Sequence, residues 1–250
     1  MPLDFTMDKY RLLLYALDGY KIYTVRRYLE EKPSEGFVIL RHDVDRIPMN
    51  AQKMADLERE LGIQSTYYFR YTRGTFRKDI IKTISSMGHE IGYHYETLSK
   101  TNGDYEKAIK LFQLELSEFR KICNVRTISM HGKPLSNQIN DMIWKYRNFN
   151  EFDLLGDSNL SISNLPYFTD AGRTWDNSNN LRDYLKTPTL KAFNIKMTND
   201  LINLFIQRSY PSFYINVHPE RWVTNRSEWI ISCSLDTMFN LGKKTIKFLR

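Results

Sequence analysis

The 250 residues predict an α/β domain built on a parallel sheet, and three observations carry that expectation. Short runs rich in β-branched and aromatic residues alternate with longer stretches of helical period, as repeated β-then-α units require. The first strong run, Phe37-Val-Ile-Leu40, is apolar throughout, which suits a strand buried on both faces. Residues able to do chemistry fall just after such runs, where parallel α/β folds gather their ligands on one rim. The pattern alone leaves the sheet open or closed into a barrel.

Taken in order, Tyr10, Leu13, Leu14 and Leu17 recur at helical spacing, and Gly19-Tyr20 stops that helix. A second helical stretch covers Val25–Leu29, and Pro33-Ser-Glu-Gly36 reads as a loop before the strand at 37–45. Pro48 opens an amphipathic helix over 48–61 that Gly62 closes. Ser65-Thr-Tyr-Tyr-Phe-Arg70 is a strand, Ile80–Met87 a helix ended by Gly88, and His89–Glu96 the third strand with its exit. Asp104–Cys123 is the clearest helix, and Val125–Met130 delivers His131-Gly-Lys-Pro134 from a fourth strand. A helix near 137–146 follows, then short strands and turns at Glu151–Leu155, Ser158–Asn164 and Pro166–Asp176. A helix at 197–207, a last strand Ser212–Val217 and a long amphipathic helix over 225–248 complete the chain. With no repeat or long linker, one domain over 1–250 is expected: a helical extension at 1–35, a barrel at 36–222 and the C-terminal helix.

Hydrophobic residues at 42% and charged residues at 26% suit a soluble globular protein. No apolar run reaches the roughly 18 residues that a membrane span needs. The N-terminal stretch lacks an apolar signal core, and Cys123 and Cys233 have no metal-binding spacing and read as reduced and buried, so a cytoplasmic location is expected. A net charge of +7 would suit an anionic partner, but no nucleic-acid-binding signature accompanies it and none is expected to bind. The densest basic cluster is Lys243-Lys244-Thr-Ile-Lys247 with Arg250.

Asp43 and Asp45 are two apart, so an extended strand points both carboxylates to one side. Like charges so close need a cation, a proton or an arginine between them. Strand exits also carry Arg70, His94 with Glu96, His131, Asp170 and His218, and all five histidines lie at strand ends. His42 and His89 suit structural roles. Carboxylates with imidazoles form a donor set for a borderline divalent cation: zinc first, with cobalt, nickel, iron or manganese as alternatives.

The order of Asp43-Val-Asp45, Thr66-Tyr-Tyr-Phe69, Gly88-His-Glu-Ile-Gly-Tyr-His94 and a late strand ending in His218 resembles the polysaccharide deacetylase superfamily (NodB homology, carbohydrate esterase family 4) over roughly residues 37–220. The resemblance implies an irregular (β/α) barrel of about seven strands and metal-dependent removal of acetyl groups from sugars. It also implies Asp43 as general base, Asp45 and His94 as metal ligands and His218 as general acid. The family's second metal histidine falls on Leu98, a departure, so the third ligand is expected to be His131, with Glu96 as the alternative. His131 also lies where the family carries the arginine that orients the base. Asp170 to Trp175, with Arg173 between, loosely matches the family's Asp-x-Trp motif.

Arg70 and Arg173 are expected as clamps for a substrate phosphate or carboxylate. Trp175 and Trp222 are expected to stack on a sugar ring, and Asp170 completes the expected substrate-binding set. The expected activity is deacetylation of an N-acetylated sugar, as a nucleotide-linked or lipid-linked precursor of a surface polysaccharide. The alternatives are a metal-free hydrolase of cyclic amides or ureides on the same fold and an inactive sugar-binding protein.

Overall fold

The computed structural model describes residues 3–132, 136–176, 178 and 195–249, the last seven of these as backbone. Among the described residues eight parallel strands form one sheet: β1 (Lys21–Tyr23), β2 (Phe37–Val44), β3 (Thr66–Arg70), β4 (Glu90–Tyr95), β5 (Thr127–Met130), β6 (Gly156–Asp157), β7 (Tyr167–Thr169) and β8 (Ser212–Val217). Seven run side by side in the order β6-β5-β4-β3-β2-β8-β7 and curl into a half-barrel. β1 pairs with the first half of β2, on the edge that β3 takes further along. This strand lies in the stretch expected to be a helical extension. Its three residues are too short to show an alternating pattern, and pairing with β2 alone defines it.

The helices are α1 (Met7–Ala16), α2 (Val25–Glu31), α3 (Pro48–Glu60), α4 (Lys78–Ser86), α5 (Thr97–Lys100), α6 (Tyr105–Arg120), α7 (Thr198–Ile206) and α8 (Arg226–Leu249). Local chemistry sets their ends: Thr6, Thr24 and Asp104 cap α1, α2 and α6 through side-chain oxygens, and Pro48 occupies the first turn of α3. Gly62, at φ +70°, turns the chain out of α3 toward β3. Residues 140–146, within the helix expected near 137–146, form a 3-10 helix, and 149–152 form another that overlaps the start of Glu151–Leu155, where a short strand or turn was expected. Only Gly156–Asp157 of that region joins the sheet, beside β5.

Two apolar layers cover the outside of the sheet. One packs α3, α4 and α6 on β3 to β5 through Ala55, Ile81, Ile84, Phe112, Phe119 and Tyr93; the other packs α1 and α7 on β2 and β8 through Leu13, Leu14, Leu201, Phe205 and Phe213. A third cluster, Tyr23, Val25, Phe37, Ile39, Tyr68, Tyr167 and Tyr214, fills the half-barrel where its strands begin. The N-terminus of α2 closes that end, with Val25 N–H donating to Thr66 Oγ1 at 2.8 Å and Arg26 N–H to Glu90 at 2.9 Å. Gly92 leaves space for the inward Tyr68 ring, since a Cβ there would lie 2.2 Å from it. Among the described residues the floor of the half-barrel is thus filled, which leaves the end where its strands finish for a site.

Candidate active site

Strand register brings the expected residues to one place. Arg70 sits beside His94 and His94 beside Ser129; Tyr95 sits beside Met130, so Glu96 and His131 follow one step on. On the other flank His42 sits beside Val217, so Asp43 and His218 follow one step on.

His94 Nε2 lies 3.4 Å and His131 Nε2 3.6 Å from Asp45 Oδ1. One ligand atom from each of the three residues falls within 4.8 Å of the others. His94 Nδ1 lies 3.0 Å from the Ser129 carbonyl, so in the neutral ring that nitrogen carries the proton and Nε2 keeps its lone pair. His131 Nδ1 lies 3.2 Å from Glu96 Oε2, which fixes the second ring in the same way. Holding the far nitrogen of a histidine through a carbonyl or carboxylate is how proteins aim imidazoles at a metal. Glu96, the alternative third ligand, is therefore committed elsewhere: Arg70 binds its oxygens at 2.8 and 3.0 Å. Leu98 turns into the outer apolar layer, away from the cluster.

The donor set fits a divalent cation on a second ground. Asp45 Oδ1 and Asp43 Oδ1 are buried oxygens without a hydrogen-bond partner, an arrangement proteins rarely tolerate outside functional sites. Burial works to raise the Asp45 pKa, but His131 and His94 outweigh it and hold the carboxyl well below its usual range. Burial likewise opposes charge on His94, whose pKa Asp43 and Asp45 nevertheless raise; on His131 burial prevails and the pKa falls. Glu96 is held low against burial by His131 and Arg70.

Asp43, the expected base, faces the same side as Asp45, with Oδ2 3.9 Å from His94 Nε2. Asn216 Nδ2 donates to that oxygen at 2.9 Å, and the guanidinium of Arg41 lies 3.6 Å away. Arg41 was not among the expected site residues. It is fully buried inside the half-barrel, donating to Ser129, Ser158 and Tyr167, and its guanidinium carbon lies 5.4 Å from the Tyr214 ring centroid. The sequence did carry a signal for it: 41, 43 and 45 share one parity, so the arginine faces inward with both aspartates.

His218 is held by Asp170, with Nδ1 2.6 Å from Oδ1. The same carboxylate accepts from Arg221 at 3.2 Å and from Trp222 Nε1 at 2.8 Å. Burial and Arg221 disfavour the imidazolium, yet the attraction of Asp170 leaves the His218 pKa raised. Asp45 and His218 lie close enough for each to act on the other's charge.

The expected substrate-binding set needs correcting. Asp170 is fully buried and spent on His218, Arg221 and Trp222. Trp222 and Trp175 are core residues at 0% and 1% exposure, packed with Phe5, and offer no ring face to a sugar. Arg173, at φ +61°, binds Asp236 at 3.2 Å and Ser232 at 2.6 Å, so it ties down α8. Arg70 reaches the mouth but serves Glu96. His42 and His89 lie behind the sheet around Glu58, as their structural reading anticipated. Cys123 and Cys233 are free and half-buried, and Pro134 lies outside the described residues.

No family model matches the chain, and no curated protein matches it. Among solved structures it is similar to a mutant of BA3943, titled a CE4 family pseudoenzyme with restored enzymatic activity (14% identity, TM-score 0.45). That alignment covers 85% of this chain and 64% of BA3943, which is from Bacillus anthracis, so the chain spans less than two thirds of that protein. It is also similar to a mutant of the peptidoglycan deacetylase PdaC from Bacillus subtilis (11% identity, TM-score 0.47, 87% of this chain and 94% of that one). A third is the peptidoglycan N-acetylglucosamine deacetylase Bc1960 (17% identity, TM-score 0.43, 83% and 81%).

Proposed function

We propose that this chain is a metal-dependent hydrolase that removes the N-acetyl group from a sugar or a sugar-linked precursor of a surface polysaccharide. The observation that carries the reading is the convergence of Asp45, His94 and His131 on one point, beside Asp43 and His218. A divalent cation held by those three residues, zinc being the best fit to two imidazoles and one carboxylate, would supply Lewis acidity and lower the pKa of a water. Asp43, kept in place by Asn216 and Arg41, accepts the proton as water adds to the acetyl carbon. His218 then gives a proton to the departing amine as the C–N bond breaks, leaving acetate and the free amino sugar. Asp170 supports the second role by holding Nδ1–H and keeping the acidic proton on Nε2.

Measuring bound metal and acetate released from N-acetylated sugars tests this reading. Asp45→Ala and His94→Ala are expected to lose both together, and full activity in either variant would overturn the assignment.

A further inference from the structure

Helix α8 is amphipathic the wrong way round. Its polar side faces the protein: Asp236 binds Arg46 at 2.9 Å and Arg173 at 3.2 Å. Ser232 Oγ donates to the Glu220 carbonyl at 3.1 Å, and Asn240 Nδ2 donates to the Gly172 carbonyl at 2.9 Å. Its apolar side faces away, with Ile230, Ile231, Leu235 and Met238 exposed by 54, 62, 41 and 58%. At 3.6 residues per turn those four fall within an arc of about 140°, opposite the inward Ser232, Asp236 and Asn240. A helix on a globular domain ordinarily turns its apolar stripe inward, and a continuous outward stripe marks an interaction surface.

Charge selects the occupant. The chain carries a net +7, and α8 runs on through Lys243-Lys244-Thr-Ile-Lys247, three cations in five residues, with Arg250 next. A second copy laid on this face would set one cationic body against another, whereas an anionic bilayer complements both the stripe and the cations. We propose that the outward face of α8 docks into the interfacial layer of an anionic lipid membrane, with the helix lying in the plane of the surface. No described helix is long and apolar enough to cross a membrane, so this contact is peripheral. The helix is fastened through Asp236 to Arg46, the residue after Asp45, which sets the docked surface beside the mouth of the half-barrel. Ile47 and Met49, next along from Arg46, are exposed apolar residues on that same rim.

Co-sedimentation of the full chain with phosphatidylcholine vesicles, with and without phosphatidylglycerol, reads this directly and needs no catalytic activity. Binding to the phosphatidylglycerol vesicles is expected, weakening as salt rises. Ile231→Glu with Met238→Glu, and separately Lys243→Glu with Lys244→Glu, should each lower binding at least about tenfold. All four residues are outside the proposed catalytic machinery, so acetate release from a soluble substrate and the melting curve should be unchanged. If the glutamates alter the melting curve, Ile231→Gln with Met238→Gln replaces them and should weaken binding in the same direction. Absence of sedimentation with either vesicle overturns the proposal, as does equal binding to both that the lysine pair leaves unchanged. So does a dimer in light scattering that the Ile231 and Met238 changes dissociate without any vesicle binding, since the face would then be a self-interface.

Discussion

The protein contains the same trio twice, with opposite outcomes. At the strand exits Asp45 lies between His94 and His131; behind the sheet Glu58 of α3 lies between His42 and His89. Both are carboxylates flanked by two imidazoles, Glu58 fully buried and Asp45 half-buried. Around Glu58 the bonds are made: His42 Nε2 at 2.8 Å, Tyr67 at 2.8 Å, Ser65 at 2.6 Å and the hydroxyl of Tyr10 satisfy its two oxygens. Around Asp45 they are withheld, since the histidine protons go to Ser129 and Glu96 and Oδ1 is left without a partner. Residue type therefore does not separate a site from a strut. What separates them is whether the fold completes the hydrogen bonds or holds lone pairs pointing at a shared space.

On the proposed function, the largest expected effect breaks the open trio's chemistry while leaving a bound metal in place. Asp43→Asn keeps the shape and the bond to Asn216 but removes the proposed base, so deacetylation should fall by about 10²–10⁴-fold with metal content by mass spectrometry unchanged. A loss of metal in that variant would make Asp43 a ligand and move the base elsewhere. The closed trio should respond the other way. Glu58→Ala strands Tyr10, Tyr67, Ser65 and His42 in the core and should cost about 3–5 kcal/mol by denaturant unfolding, while the surviving folded protein binds metal as before.

Glu58 also predicts a pH signature. Burial opposes its charge, but His42 and His89 outweigh burial and bring its pKa from 4.5 down to about 2. A depressed carboxyl pKa stabilises the fold above the unfolded value and loses that contribution as pH falls from 4.5 toward 2. The stability gap between the natural protein and Glu58→Gln should therefore narrow across that window. A gap that stays constant would show that shape, not charge, holds the network.

Much of the open trio and its neighbours was legible before the structure, because strand exits are marked in sequence by where apolar runs end. Asp43, Asp45, His94, His131 and His218 each sit at such a point, and the parallel topology does the rest. Glu58 was hidden, since a charged residue inside a helical period reads as surface; its one signal is falling on the stripe of Ala51, Met54 and Ala55. Trp175, Trp222 and Asp170 were misplaced for a related reason. Sequence shows that they adjoin the rim, but whether a side chain turns to the mouth or the core depends on packing against Phe5 and Tyr10 from the far end of the chain. β1 escaped because three residues hold no period, and Arg41 because arginine is rarely buried and so draws no attention inside an apolar strand.

Smaller changes test the residues that keep the open trio open. Glu96→Gln weakens the hold on His131 Nδ1 and leaves Arg70 with a neutral partner. Metal affinity should fall about 10- to 100-fold, measured by competition with a chelating dye, with the fold intact. If Glu96 were itself a ligand, as the sequence allowed, the metal would be lost outright.

The last contrast is between His218, whose charge is supported, and His131, whose charge is suppressed. In its proposed role of general acid, His218 must be protonated when the amine leaves, so the alkaline limb of the rate profile is expected to follow its pKa. That pKa lies above the ordinary 6.5 because Asp170 outweighs burial and Arg221. The sign for stability follows the same way: a raised histidine pKa stabilises the fold fully below 6.5 and less as pH climbs through the folded value. Asp170→Asn removes the attraction and leaves burial and Arg221 unopposed, so the alkaline limb should move to lower pH. Activity at low pH should suffer least, because there the ring is protonated with or without its partner. A uniform loss at every pH would instead mean that Asp170 positions His218 without setting its charge, and the contrast between the two histidines would then be one of geometry alone.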